Sequence, residues 1–393
     1  MTNLRQWLRG TPLDVPNALL VLMLPVSLWA SSDLGLSLPK VLGLLLGIAV
    51  YYSTLAYARD ERRLRMTLVF YLALGTLVAA LGLVGTRWLD KNPFLASITD
   101  HLPRLIRGLP GAGQGFHPNE VAGVLLWVVP VQWALLAWLW CEKQAATRRG
   151  IVMGLATLLT TSILFLTQSR AALLGLGVAL LAWGAWRDRR VHVGVILLLL
   201  VALAVAVWRG PQWVNDFLLS GVAPEALGES HWDFRLEVWK TALRGIHDFP
   251  LTGMGIGTFR RVARVLYPVA VVPTFDLAHA HNAFLQAALD LGLLGLLAYL
   301  ALWWQTARSA WRALRQSTGW LRALAIGFAG CLVSSLVYSC LDTIALGARP
   351  GLLWWVMLAL IVALERIVAA PVQQAGAERG PTLEQVENRH ASV

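Results

Sequence analysis

The chain has 393 residues, 57% of them hydrophobic and only 14% charged, with a net charge of +11. A soluble domain carries about 25% charged residues, so a chain this apolar cannot hide its surface in one water-soluble core. The positive balance does not point to nucleic acid, because the basic residues sit in short caps between apolar blocks rather than in one patch.

The apolar blocks have the length, about 17–25 residues, that crosses a ~30 Å hydrocarbon layer. Backbone groups in lipid must be paired within the segment, so each block predicts a helix. Ten spans are expected, near residues 14–31, 37–57, 66–86, 120–141, 150–167, 171–186, 193–208, 283–305, 323–341 and 351–368. Two weaker segments, 94–110 and 212–223, are interfacial or re-entrant candidates that would raise the total to twelve. Tryptophans stand near many block ends, among them Trp88, Trp138, Trp186, Trp208, Trp303 and Trp354, as in an interfacial aromatic belt. No cleavable signal is evident, and the first block reads as a retained span.

Charge sets the orientation. With a cytoplasmic N-terminus, the clusters Arg59, Arg62, Arg63, Arg65 and Arg187, Arg189, Arg190, and the later Arg308, Arg312, Arg315 and Arg322, all fall in short inner connections. Both termini are then cytoplasmic, and segments 87–119 and 209–282 lie outside. The expected organisation is an N-terminal bundle of about seven spans (1–208), a long outer loop with short helices (209–282), C-terminal spans (283–370) and a polar, disordered inner tail (371–393).

Several polar features mark the outer boundary, in chain order. Gly115-Phe116-His117-Pro118-Asn119-Glu120 opens the fourth span, with Asn119 placed to cap the helix or to serve a site together with His117. Thr167-Gln168-Ser169-Arg170 makes a tight outer hairpin, where Arg170 is an interfacial anchor or an anion ligand. Over Trp232–Phe249 the residues Glu237, Lys240, Thr241, Arg244 and Asp248 recur at helical spacing and form a polar face. Arg235 falls on the opposite face with Trp239, Ala242 and Ile246, where a charge is expensive unless paired. It either snorkels from an interfacial helix or points into an anion-binding cavity. Two arginines at one boundary favour the anion, since guanidinium binds phosphate bidentately.

Next comes the glycine-rich Pro250–Phe259 stretch. It follows a helix rather than a strand, so it is a flexible turn or a loop offering amides to phosphate, not a nucleotide fingerprint. Arg260, Arg261 and Arg264 after it face lipid headgroups or an acidic glycolipid. His281 enters a span; with Leu285, Ala288, Gly292 and Gly295 it shares one face of a continuous helix, mostly small residues, which turns it toward the bundle interior. A histidine there suits a general base, or is merely satisfied by the helix cap. His279 is a secondary candidate. No metal site is expected, because no His or Cys pair has ligand spacing and the carboxylates Asp233, Asp248, Asp276 and Asp342 are scattered. No serine nucleophile motif is present.

Taken together, these pieces resemble the O-antigen ligase family, within the wider group of ligases and polymerases acting on lipid-linked sugars. The resemblance rests on Phe116-His117-Pro118-Asn119, Ser169-Arg170, Arg235 with Trp239, Pro250–Gly255, and His281-Asn282 followed after nine residues by Gly292-Leu293-Leu294-Gly295; it covers about residues 110–300. It implies an all-α, GT-C-like bundle of about twelve spans in the bacterial inner membrane, with the active site facing the periplasm. It implies transfer of O-antigen polysaccharide from undecaprenyl diphosphate to lipid A–core oligosaccharide, in lipopolysaccharide biosynthesis, without metal, nucleotide or other cofactor. Arg170, Arg235 and His281 match the family's essential residues, with Asn282, His117, Asn119 and the three later arginines as further binding candidates. The competing readings are an O-antigen or exopolysaccharide polymerase, a protein O-oligosaccharyltransferase, and a lipid or sugar transporter. Transporters place polar residues at mid-membrane in broken helices, whereas those here cluster at one boundary.

Overall fold

The computed structural model of the protein describes residues 10–88, 93–102, 105–106, 115–188, 190, 193–194, 204, 208–209, 232–267 and 277–378. Most of the expected span 193–208, the segment 212–223 and much of the long loop therefore lie outside the described residues. Thirteen α-helices and no strand occur among those described. They are α1 (Asp14–Trp29), α2 (Leu34–Tyr57), α3 (Glu61–Gly85), α4 (Pro93–Thr99), α5 (Pro118–Leu125), α6 (Val129–Cys141) and α7 (Arg148–Leu166). There follow α8 (Arg170–Arg187), α9 (Trp232–Asp248), α10 (Phe259–Leu266), α11 (Ala283–Gln316), α12 (Gly319–Leu341) and α13 (Leu352–Glu378). Six are long and apolar enough to cross a membrane, seven if α5 and α6 form one bent span. The chain is an all-α, multi-pass membrane protein. Of the weaker segment 94–110, the described part holds α4, seven residues long and too short to cross.

α12 is the central post, packed on α6, α8, α11 and α13, while α13 also covers α2 and α3. Close approach needs small residues, because lipid offers no hydrophobic drive between helices. At Gly175 of α8, a methyl group would overlap the Ser334 carbonyl oxygen of α12.

Three local departures from regular helix position the polar end. The first is a 40° bend between α5 and α6. Pro130 offers no ladder donor at this bend, and the nearby Trp127 carbonyl accepts from the Tyr71 hydroxyl and the buried Cys331 thiol. Freed backbone groups at membrane depth must be satisfied in some such way.

The second departure lies inside α11. Gly292 has φ 69° and interrupts the helix. The Phe284 ring lies 5.7 Å from Tyr299 and 6.3 Å from Trp303. On a straight helix those residues would be more than about 20 Å apart, so the first half of α11 folds back on the second. This corrects the expected continuous face from His281 to Gly295: the backbone breaks at one of its members. A side chain at Gly292 would overlap the Leu251 carbonyl, which the stretch after α9 brings against this point of the helix.

The third is the glycine-rich stretch, which is neither a flexible turn nor a phosphate cradle. It is wedged between α1, α2 and α11. Its amides are taken within the protein: Met254 N–H by the Leu289 carbonyl (2.6 Å), Ile256 N–H by Ser27 Oγ (2.8 Å) and Gly257 N–H by the buried Asp290 (3.0 Å). A side chain at Gly253, at φ 66°, would come 2.5 Å from the Leu289 carbonyl.

At the far end, α13 runs through Pro371 to Glu378, where a disordered tail was expected from Pro371 onward. The residues after Pro371 are mostly good helix formers (Gln373, Gln374, Ala375, Ala377), which lets the helix run on.

Candidate active site

The site is assembled where the start of α11 meets the end of α12. Asn282 caps α11, its Oδ1 accepting from the amides of Phe284 and Leu285, while its Nδ2 donates to the Cys340 carbonyl at 3.0 Å. The side chain expected to bind substrate is thus engaged in joining two helices. The clamp brings His281, one residue before the cap, against Asp342, one residue past the end of α12. His281 is buried, stands at φ 48°, and holds Nδ1 3.4 Å from Asp342 Oδ1. That nitrogen meets the geometry of no hydrogen bond. Left-handed backbone is uncommon for a non-glycine residue; here the packed surroundings hold it.

Asp342 is itself fixed. It accepts from Asn119 Nδ2 at 2.8 Å and from the Thr343 amide at 2.9 Å. Tyr338 donates to the Asn119 carbonyl at 2.8 Å, so α5 and α12 are clasped twice. His117, not Asn119, is the N-cap of α5: its Nδ1 accepts from the Asn119 amide at 3.3 Å. His279 stacks edge-on against His281 with ring centroids 4.4 Å apart and accepts its backbone N–H at 3.3 Å.

The charges follow from this packing. Burial works to raise the Asp342 pKa, but the His281 imidazole beside it, with smaller contributions from His279 and Arg235, outweighs burial and holds the carboxyl well below the usual carboxylate range. Burial, reinforced by His281, pushes His279 down to about 3, so its imidazole is neutral at physiological pH. His279, His281 and Asp342 offer ligand atoms all within 4.8 Å of one another. The expectation of scattered carboxylates and no metal-ligating cluster is corrected for Asp342, since the pairing forms only in three dimensions.

The arginines arrive on separate elements. α9 docks through Phe234, Val238 and Ala242 onto Met254, Phe259 and Leu289. Arg235 flanks that apolar stripe, half-buried, with Nε buried and lacking a hydrogen-bond partner. Thr241, expected on the polar face, is buried instead. Arg170 opens α8, is exposed, and lies within Coulombic reach of Arg235. Arg235 in turn acts on Asp342 and Tyr338. Just before Arg170, buried Gln168 (φ 51°) and Ser169 also hold side-chain polar atoms with no hydrogen-bond partner. Like charges beside unsatisfied donors have the chemistry to hold an anion.

Not every expected residue joins this group. Arg261 pairs with Asp33 of the α1–α2 connection at 3.5 Å, and Arg264 is exposed on α10, as is fitting for a surface of headgroups. Asp342 and Tyr338 were missed from sequence. The available signal was a carboxylate one residue beyond a span on the His281 side.

Beside the cluster runs a shallow groove lined by Trp127, Tyr299, Trp303, Tyr338, Trp354 and Trp355 among others. Phe284, three residues past His281, touches two of these aromatics.

Fold and site together define a polytopic membrane protein with a cationic, histidine-containing site at one end of its bundle. Residues 155–300, the region that holds Arg170, Arg235 and His281, are similar to the family model described as O-Antigen ligase. The match supports a transferase of the ligase or polymerase type acting on a lipid-linked or polysaccharide substrate. Comparison with curated proteins gave no match.

Proposed function

We propose that the protein transfers O-antigen polysaccharide from undecaprenyl diphosphate to a sugar hydroxyl of the lipid A–core oligosaccharide, at the periplasmic face of the bacterial inner membrane. The observation that carries this reading is the convergence of Arg170, Arg235 and the His281–Asp342 pair at one end of the bundle, next to an aromatic groove that suits a polyprenyl chain.

His281 turns Nδ1 toward Asp342, which leaves Nε2 for the acceptor. The acceptor oxygen attacks the anomeric carbon from the face opposite the diphosphate, and its proton passes to His281 Nε2. The new C–O bond forms as the anomeric carbon–phosphate oxygen bond breaks, inverting the centre. Its electron pair leaves on the diphosphate. Arg170 and Arg235 stabilise that growing charge; one preorganised donor at such a position is worth about 2.7–4 kcal/mol. Ionised Asp342, 3.4 Å from Nδ1, stabilises the imidazolium by its charge.

The test is purified protein with lipid-linked O-antigen and lipid A–core, assayed in EDTA for the joined product. Arg170→Ala and Arg235→Ala should each lower transfer by roughly 10²–10³-fold while melting near the parent temperature. Full activity of Arg235→Ala, or a Mg²⁺ requirement revealed by the chelator, would sink the scheme. Lengthened lipid-linked chains with no joined product would establish a polymerase instead.

A further inference from the structure

We propose that His279, His281 and Asp342 form an inhibitory site for a soft divalent transition metal, with zinc the best fit. The site overlies the group that the proposed transfer uses as its base. The inhibitory consequence rests on that reading; the binding does not.

The geometry argues for it first. His281 Nδ1 and Asp342 Oδ1 stand 3.4 Å apart, and the nitrogen has no hydrogen-bond partner. That is too long for a charge-assisted hydrogen bond, about 2.7–2.9 Å. It is the spacing of two ligands on one tetrahedral zinc, whose bonds of about 2.0–2.1 Å place ligand atoms roughly 3.4 Å apart. A third ligand atom comes from His279, with all three within 4.8 Å, so closure onto an ion needs only a small movement. His279 would exchange its long 3.3 Å contact with the His281 amide for the metal bond.

Two imidazoles with a single carboxylate suit zinc and disfavour Mg²⁺ and Ca²⁺, which take oxygen ligands. The Arg235 charge, which reaches Asp342, opposes any cation and makes the site weaker than a closed structural one. Its fourth position stays open.

Occupancy has a defined chemical effect. A neutral imidazole bound to metal through Nδ1 carries its proton on Nε2. His281 in that state can accept no proton from an acceptor hydroxyl, and Asp342 is drawn from imidazole to metal. Transfer stops without any substrate being displaced.

The experiment uses the full chain in detergent or nanodiscs, stripped with EDTA. Zinc is titrated against a chromophoric chelator, and the bound ion is examined by X-ray absorption at the zinc edge. One ion per chain is expected, with mixed nitrogen and oxygen ligands at about 2.0–2.1 Å, and Mg²⁺ should not compete. His279→Gln should weaken binding more than about tenfold, the lower bound known for losing even an outer-shell partner. Zinc should suppress transfer reversibly, and His279→Gln should resist it when its rate is compared with its own zinc-free rate. Absence of zinc on the wild-type chain, sulfur in its coordination shell, or equal binding by His279→Gln would overturn the proposal. The zinc-edge spectrum of the wild type stands even if that variant folds poorly. Zinc bound as expected to a protein that transfers nothing in EDTA would leave the metal site standing and refute the transfer reading.

Discussion

Arg235 shows what a residue's place in a helical period can reveal. Its phase puts it opposite the polar face of α9, and the structure half-buries it with Nε unsatisfied. Asp342 shows the converse. It lies 61 positions from His281 in the chain, and nothing in spacing or periodicity links the two; only the Asn282 clamp between α11 and α12 does. The pairing yields a sharp prediction. Asp342→Asn keeps a side-chain oxygen for Asn119 but turns an uncharged amide N–H₂ toward His281 and the Thr343 N–H. Transfer should fall by about 10⁴-fold, as in other histidine–carboxylate pairs, with a small drop in melting temperature from the one unmet Thr343 N–H. Transfer within a few-fold of wild type would remove Asp342 from the mechanism. Asp342→Ala differs, since it strands buried partners at about 1–3 kcal/mol each, and should lower stability as well.

At the scale of elements, hydropathy locates helices well and their interruptions poorly. Nine of the ten expected spans are helical in the structure, and most of the tenth lies outside the described residues. The break at Gly292 was illegible because glycine in an apolar run reads equally as a small residue for close packing. What decides it is the Leu251 carbonyl occupying the space a side chain would need, a contact from another part of the chain. Gly292→Ala faces both that carbonyl and a left-handed backbone, and should destabilise the protein by more than about 1 kcal/mol, measured as a lower melting temperature with transfer reduced in parallel. Gly175→Leu should be worse, because a larger side chain there meets backbone too, the Ser334 carbonyl of α12; overpacking commonly costs about 1–3 kcal/mol. A Gly175→Leu protein that melts like wild type would show that α8 and α12 do not pack as described.

For the molecule as a whole, the sequence made the class legible through its apolar blocks, and the site through which residues share one end. His281, Arg170 and Arg235 do meet there, whereas Arg261 does not join them. The expected sidedness predicts labelling. In a cysteine-free background, Arg261→Cys in intact spheroplasts should react with a membrane-impermeant maleimide, and Arg148→Cys only after permeabilisation. The reverse pattern would put the site on the cytoplasmic side.

The glycine-rich wedge has a mechanical meaning. It pins the chain immediately after α9 to α1 through Ser27 and to α11 through Leu289 and Asp290. The helix that carries Arg235 is therefore bolted at its trailing end, and cannot open like a door hinged there. Access for a bulky glycan must come from some other direction, and the amides of Met254, Ile256 and Gly257 should be among the slowest in this region to exchange with deuterium, whether or not substrate is present.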